Sequence, residues 1–214
     1  MRIVVIISDT FRYDNLGFVG GKAQTPELDS LCSRSTFFEN YTIGSFPTIP
    51  NRTDYMTGQF QFLFGGWSKL DPEKPVLAEF LKDKGYINQM IVDTPHLLKR
   101  GYDFDRGFHA YYWIRGQEGD LYLTRMNYDI DEIMPEDKTR TYPDCFGKTL
   151  ANFSQWIHRD WQWEEDRFMV QTARTASRWI EENYKCKDFL LWIDLFDVHE
   201  PWDPPEYLVR PVSY

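Results

Sequence analysis

Short hydrophobic runs alternate with amphipathic segments along this chain of 214 residues. Residues 3–7 (IVVII) form an unbroken run that is typical of a parallel strand buried on both faces, so we expect this strand at the centre of a sheet. Apolar or aromatic composition predicts further strands at 35–42, 88–92 and 188–194.

Helices are predicted between these strands. Thr25-Pro26 supplies an N-cap followed by proline at the first helical position, and Pro50 starts a second helix that Gly58 ends. Apolar residues at helical spacing predict two more helices, at 75–84 and 163–184. The alternation predicts an α/β protein, a three-layer αβα sandwich with a mostly parallel central sheet.

The length fits one domain, because domains commonly have about 100–200 residues. No repeat, low-complexity tract or Gly/Ser linker divides residues 1–214. Residues 100–145 are polar, aromatic and rich in turn formers, so we expect an insertion or a long active-site loop there.

The charge balance argues against a nucleic-acid partner. The chain has 24 Lys and Arg against 33 Asp and Glu, a formal net charge of −9, whereas binding a phosphate backbone needs a basic surface. A small anionic substrate, bound by local cations, remains compatible with this balance. The sequence leaves open whether the protein forms a homo-oligomer.

Compartment is inferred from what the sequence does not contain. No run approaches the roughly 20 apolar residues of a membrane span, and the first apolar run is too short for a signal peptide. Cys32, Cys145 and Cys186 are odd in number and widely spaced, which favours reduced thiols. We expect a cytoplasmic protein with no membrane partner.

Asp9 is the first candidate for chemistry, because it follows the strand at 3–7. Open α/β sheets bind ligands at the carboxyl ends of their strands, and a carboxylate there suits a hard divalent cation. A helix cap or an ordinary loop acid is the alternative.

Thr48 and Arg52 form the second candidate. Their spacing of four residues places both side chains on one face of a helix, where the guanidinium can stabilise an activated hydroxyl or bind a tetrahedral oxyanion. The alternative, about as frequent for this spacing alone, is a capping threonine and a solvated arginine.

Four segments, taken in order, resemble the sulfatase family of the alkaline phosphatase superfamily. They are ISDTFRYDNLG (7–17), TPELDSL (25–31), TIPNR with its trailing MTG (48–58), and LLWIDLFDVHEPWDPP (190–205). The resemblance implies an alkaline phosphatase-like fold, of which residues 1–214 would form the N-terminal part of the catalytic domain.

The resemblance also implies roles for individual residues. Asp9 and Thr10 fall at the metal-binding acid pair, Thr48 at the nucleophile, which also binds the metal, and His199 at a substrate-contacting histidine. His96, in DTPHLL, falls near a second family histidine, with Asp93 in place of a lysine. A divalent metal, Mn, Zn or Ca, is implied, partly liganded by residues outside this chain.

Two departures from the family pattern narrow the implied chemistry. In sulfatases, the nucleophile position holds a cysteine or serine that is oxidised to formylglycine, whereas oxidation of threonine can give only a ketone. Thr48 therefore favours direct attack on phosphorus. Thr10 replaces the second acid of the pair. We therefore expect a metal-dependent hydrolase of phosphate or sulfate esters, with phosphoester hydrolysis favoured and a small anionic ester as substrate.

The alternative function is a catalytically incomplete, sulfatase-like fragment that acts as a binding or interaction module. The substituted Thr10 and the aromatic content of 17% favour it. For His199, the alternative is a core or capping histidine.

Overall fold

A computed structural model describes residues 1–118, 120 and 150–208 of the chain. Four strands of this part form one parallel sheet in the order β1-β4-β2-β3. The strands are β1 (Arg2–Ser8), β2 (Ile87–Val92), β3 (Ala110–Trp113) and β4 (Phe189–Leu195). The helices are α1 (Pro26–Cys32), α2 (Thr48–Thr57), α3 (Leu77–Asp83), α4 (Leu150–His158) and α5 (Phe168–Glu182).

Hydrophobic cores lie on both faces of the sheet. On one face, Leu190 and Trp192 of β4 pack with Ile49 of α2. On the other face, Leu191 packs with Ala176 of α5. Successive strand residues point to opposite faces, so a strand covered by helices on both sides is apolar at every position. The predicted three-layer αβα sandwich with a parallel sheet is confirmed.

The predicted central position of the first strand is wrong for the described sheet. β1 lies at its edge, and β4 and β2 occupy the centre. Ile3, Val5 and Ile7 pack against the α2 core, but Val4 and Ile6 are 43% and 63% exposed. Val4 and Ile6 are exposed because, within the described residues, no helix covers the face of β1 on which they lie.

The strand predicted at 35–42 does not form. This segment follows α1 as turns and irregular chain. The Phe37 ring packs locally, with centroids 5.1 Å from Phe18 and 6.0 Å from Tyr13, whereas Phe38 and Tyr41 are 72% and 63% exposed. Aromatic composition alone therefore does not establish a strand, because strand pairing depends on partners elsewhere in the chain.

The four predicted helices form. α1 begins at Pro26 as predicted, and the other three begin at shifted positions. α2 begins at Thr48, two residues before the predicted Pro50, and ends at Gly58 with φ +70°. Proline is tolerated in this first turn because its missing N–H has no partner within a helix. The last predicted helix begins at Phe168, after a single 3-10 turn, Glu164–Asp166.

The segment predicted as a loop at 100–145 contains β3, which pairs with β2. Residues 119 and 121–145 of that prediction lie outside the described residues. Cys32 and Cys186 have free thiols, whereas Cys145 lies outside the described part. No helix in the described ranges is long and apolar enough to cross a membrane.

Candidate active site

Polar residues at three strand ends meet at the carboxyl edge of the sheet. Asp9 follows β1, Asp194 is the next-to-last residue of β4, and Thr94 comes two residues after β2. The three strands are neighbours and parallel, so their carboxyl ends lie side by side. α2 begins at the same edge and contributes Thr48 and Arg52.

Asp9 receives hydrogen bonds on both carboxylate oxygens. The Thr48 hydroxyl and Arg52 Nη2 each donate to Asp9 Oδ2 at 3.1 Å, and the Thr10 hydroxyl donates to Oδ1 at 2.9 Å. Thr10 has φ +59°, a left-handed conformation that is rare for a β-branched residue and costs about 1–3 kcal/mol. The predicted trio Asp9, Thr10 and Thr48 is thus brought together.

Arg52 is held between two carboxylates. Its Nε donates to Asp194 Oδ2 at 3.0 Å and its Nη2 to Asp194 Oδ1 at 2.9 Å, besides the bond to Asp9. The side chains of Arg52 and Asp194 are only 4% and 0% exposed. Burial opposes the charge of Arg52, but the charges and hydrogen bonds of Asp194 and Asp9 outweigh it and raise the guanidinium pKa.

Asp194 was not predicted as a site residue. Besides Arg52, it accepts hydrogen bonds from the Thr94 hydroxyl at 2.7 Å and from Trp192 Nε1 at 3.2 Å. A signal was present, because Asp194 closes an apolar strand just as Asp9 does. The same strand-end rule would have identified it.

Thr48 lies in the first turn of α2 and faces a pocket of about 630 Å³. No side chain caps this helix start, and N–H groups at a helix N-terminus are suited to bind an anion. The pocket is lined by polar residues (Asp9, Thr10, Thr48, Asn51, Arg52, His199), together with apolar and aromatic ones such as Phe11, Phe46 and Tyr55.

His199 lines this pocket from the turn after β4. Its Nδ1 lies 3.0 Å from the carbonyl oxygen of Glu200. Because a carbonyl oxygen can only accept, Nδ1 carries the proton and Nε2 remains available for a ligand. The ring stacks on Phe196 with centroids 4.3 Å apart, which fixes the plane of the imidazole.

His96 is placed differently. It forms an ion pair with Glu118 and packs edge-on against Trp67, with ring centroids 4.8 Å apart. Phe196 lies between its ring and that of His199. Among the described residues, His96 does not belong to the lining of the Thr48 pocket, and its contact with substrate stays a prediction.

The described residues fit a divalent metal only in part. Asp9 is a suitable oxygen ligand for a hard cation. However, no group of three or more His, Cys, Asp or Glu within the described ranges could hold one, and both Asp9 oxygens already accept hydrogen bonds. These residues alone do not complete a metal shell.

This protein therefore belongs to the class of parallel α/β proteins that bind ligands at the carboxyl ends of their strands, and its hydroxyl, carboxylate and buried guanidinium there suit an anionic ligand. A family model described as Sulfatase matches residues 2–211, and the chain belongs to this family.

Individual relatives are more distant. The chain is 23% identical to mouse arylsulfatase J, covering 95% of this chain and 33% of that protein, and 24% identical to an arylsulfatase of Clostridium perfringens, covering 96% and 45%. The chain thus spans less than half the length of these relatives. A phosphonate monoester hydrolase of Agrobacterium radiobacter has the same fold, with a TM-score of 0.65 and 18% identity over 96% of this chain and 42% of that one.

Proposed function

We propose that the protein hydrolyses small anionic esters and that Thr48 is the nucleophile. The observation that carries this proposal is the shared hydrogen bonding of Asp9 Oδ2, which accepts from both the Thr48 hydroxyl and Arg52. A hydroxyl bonded to a carboxylate, beside a buried cation and at the start of a helix, is arranged to attack an anionic centre.

In the proposed reaction, Thr48 Oγ1 attacks the phosphorus or sulfur atom while its proton passes to Asp9 Oδ2. The ester bond breaks, and the alcohol leaves with a proton from Nε2 of protonated His199. Water then hydrolyses the Thr48 ester, and Asp9 and His199 return to their starting protonation. Arg52 stabilises the negative charge that develops beside Thr48.

Phosphoesters and phosphonate esters are favoured over sulfate esters. Sulfate ester hydrolysis in the sulfatase family uses an aldehyde, formylglycine, to which threonine cannot be oxidised. A threonine alkoxide can instead attack phosphorus directly. The phosphonate ester hydrolase with the same fold makes this class of substrate reasonable.

We further propose that Asp9, with the hydroxyls of Thr10 and Thr48, contributes to a site for Mn, Zn or Ca that other residues complete. Such an ion would neutralise substrate charge and lower the pKa of a bound hydroxyl. Calorimetric titration with Mn²⁺ tests this proposal, and heat that is unchanged in Asp9→Asn would contradict it.

The nucleophile is tested by assaying the complete protein on an aryl phosphodiester and an aryl sulfate, with Mn²⁺ or Zn²⁺ present. We expect Thr48→Ala to lower kcat by about 10³-fold or more, and Thr48→Ser to retain most of it. Acid quenching should trap a phosphoryl group on Thr48, detectable by peptide mass spectrometry. Turnover that Thr48→Ala leaves unchanged would refute the assignment.

A further inference from the structure

Asp93 is a fully buried carboxyl at the end of β2 that the reaction above does not use. Its Oδ1 accepts the backbone N–H of Phe196 at 2.6 Å, and its Oδ2 accepts the hydroxyl of Thr172 in α5 at 2.8 Å. No Lys, Arg or His among the described residues pairs with it.

Such a group is costly to the fold. Burial is the main cause that raises the pKa of Asp93 to about 7, and the acids Asp194 and Asp197 raise it further, against the two hydrogen bonds, which lower it. A neutral side chain of similar volume would avoid this cost. Buried groups of this kind concentrate at functional sites.

The backbone that Asp93 binds belongs to the turn that carries His199. Phe196 begins this turn, its carbonyl oxygen accepts the N–H of His199 at 3.0 Å, and its ring stacks on the imidazole. The same turn also contacts Asp9 in the lining of the pocket, because the N–H of Val198 donates to the carbonyl oxygen of Asp9 at 2.9 Å.

We propose that Asp93 is a positioning residue for His199. Its carboxyl group, oriented by Thr172, fixes the backbone of Phe196 and thereby the ring against which His199 packs. The imidazole is thereby held in the lining of the pocket that also contains Thr48. The proposal depends on the proposed function only for what His199 does to a substrate, and not for where His199 lies.

The position of His199 can be tested without any activity. The chain has 4 histidines, so the imidazole signals are few, and His199→Gln identifies the one in question by NMR. Stacking on Phe196 displaces this signal through the ring current. We expect Asp93→Ala and Thr172→Val to move it, and Asp93→Asn to move it less, because the amide oxygen can still accept from Phe196.

Thr175→Val is the matched control. Thr175 also lies on α5, but its hydroxyl donates to the carbonyl oxygen of Gln171 and not to Asp93. We expect the His199 signal of Thr175→Val to coincide with that of the wild type. A wild-type signal in both Asp93→Ala and Thr172→Val would overturn the proposal. If Asp93→Ala does not fold, a wild-type His199 signal in both Thr172→Val and Asp93→Asn would overturn the proposal instead.

Kinetics supply the second measurement. We expect Thr172→Val to lower kcat about tenfold, and Asp93→Ala up to about 10²-fold, with little change in KM, since displacing a reacting group by about 1 Å has effects of this size. Unchanged kcat in both variants of an active protein would also overturn the proposal. If the wild type has no turnover, the proposed function fails, while the NMR comparison still decides the role of Asp93.

Discussion

Replacing Asp93 by asparagine should remove a pH dependence of stability. Between pH values near 4 and 7, the folded protein holds a proton on this carboxyl that the unfolded chain has lost. The unfolded state therefore binds fewer protons, and the stability contributed by protonated Asp93 is lost as pH rises toward the folded pKa. Asparagine keeps the shape of the protonated acid and cannot ionise.

The magnitude follows from the two pKa values. The folded pKa is about 7, and an ordinary aspartate has a pKa of about 3.9. At about 1.4 kcal/mol per pH unit, the full difference is about 4 kcal/mol, of which about 2.5 kcal/mol is lost between about pH 5 and pH 8.

The assay is urea unfolding of the wild type and Asp93→Asn at pH 5 and pH 8. We expect the wild type to lose about 2.5 kcal/mol more than the variant between these two pH values. All other titratable groups are common to both proteins, so the comparison isolates the ionisation of Asp93. Equal losses in the two proteins would refute the reasoning.

Two further substitutions test the buried network of the site, and a third tests the packing of α3. Arg52→Met should lower the free energy of unfolding by about 3–5 kcal/mol, because Asp194 would stay buried without its cation, and a loss below about 1 kcal/mol in urea unfolding would contradict the buried pair. Thr94→Val should cost about 1–3 kcal/mol in the same assay, because it removes the 2.7 Å hydrogen bond to Asp194, and no loss would show that other donors replace it. Gly107→Ala should cost about 1–3 kcal/mol, because Gly107 has φ +85° and a Cβ there would lie 2.4 Å from the backbone nitrogen of Glu79, and an unchanged thermal midpoint would argue against this close approach.

The sequence predicts best where the pattern depends on local contacts. Apolar runs identified β1, β2 and β4, and Gly58 correctly marked the end of α2. By contrast, β3 was missed because its residues, 110–113, are largely exposed aromatics without alternation, and pairing with β2 alone makes them a strand.

The position of a strand within a sheet depends on partners distant in the chain. The run at 3–7 has the composition of a central strand, yet β1 lies at the edge of the described sheet. For the same reason, single positions could suggest Asp9, Thr48 and Arg52, and the strand-end rule could have added Asp194. The sequence could not show that the Asp194 carboxyl binds Arg52, from which it is separated by 142 residues.

The end of β2 shows how two parts of the site can depend on one short segment. Asp93 and Thr94 are consecutive, and Asp93 continues the ladder by donating its N–H to the carbonyl oxygen of Asp194 at 3.1 Å. Neighbouring residues in extended chain point to opposite faces, so Thr94 reaches Asp194 and the Arg52 network on the α2 side, whereas Asp93 reaches α5 and the turn of His199. A backbone shift at this point would therefore move the guanidinium network and the imidazole together.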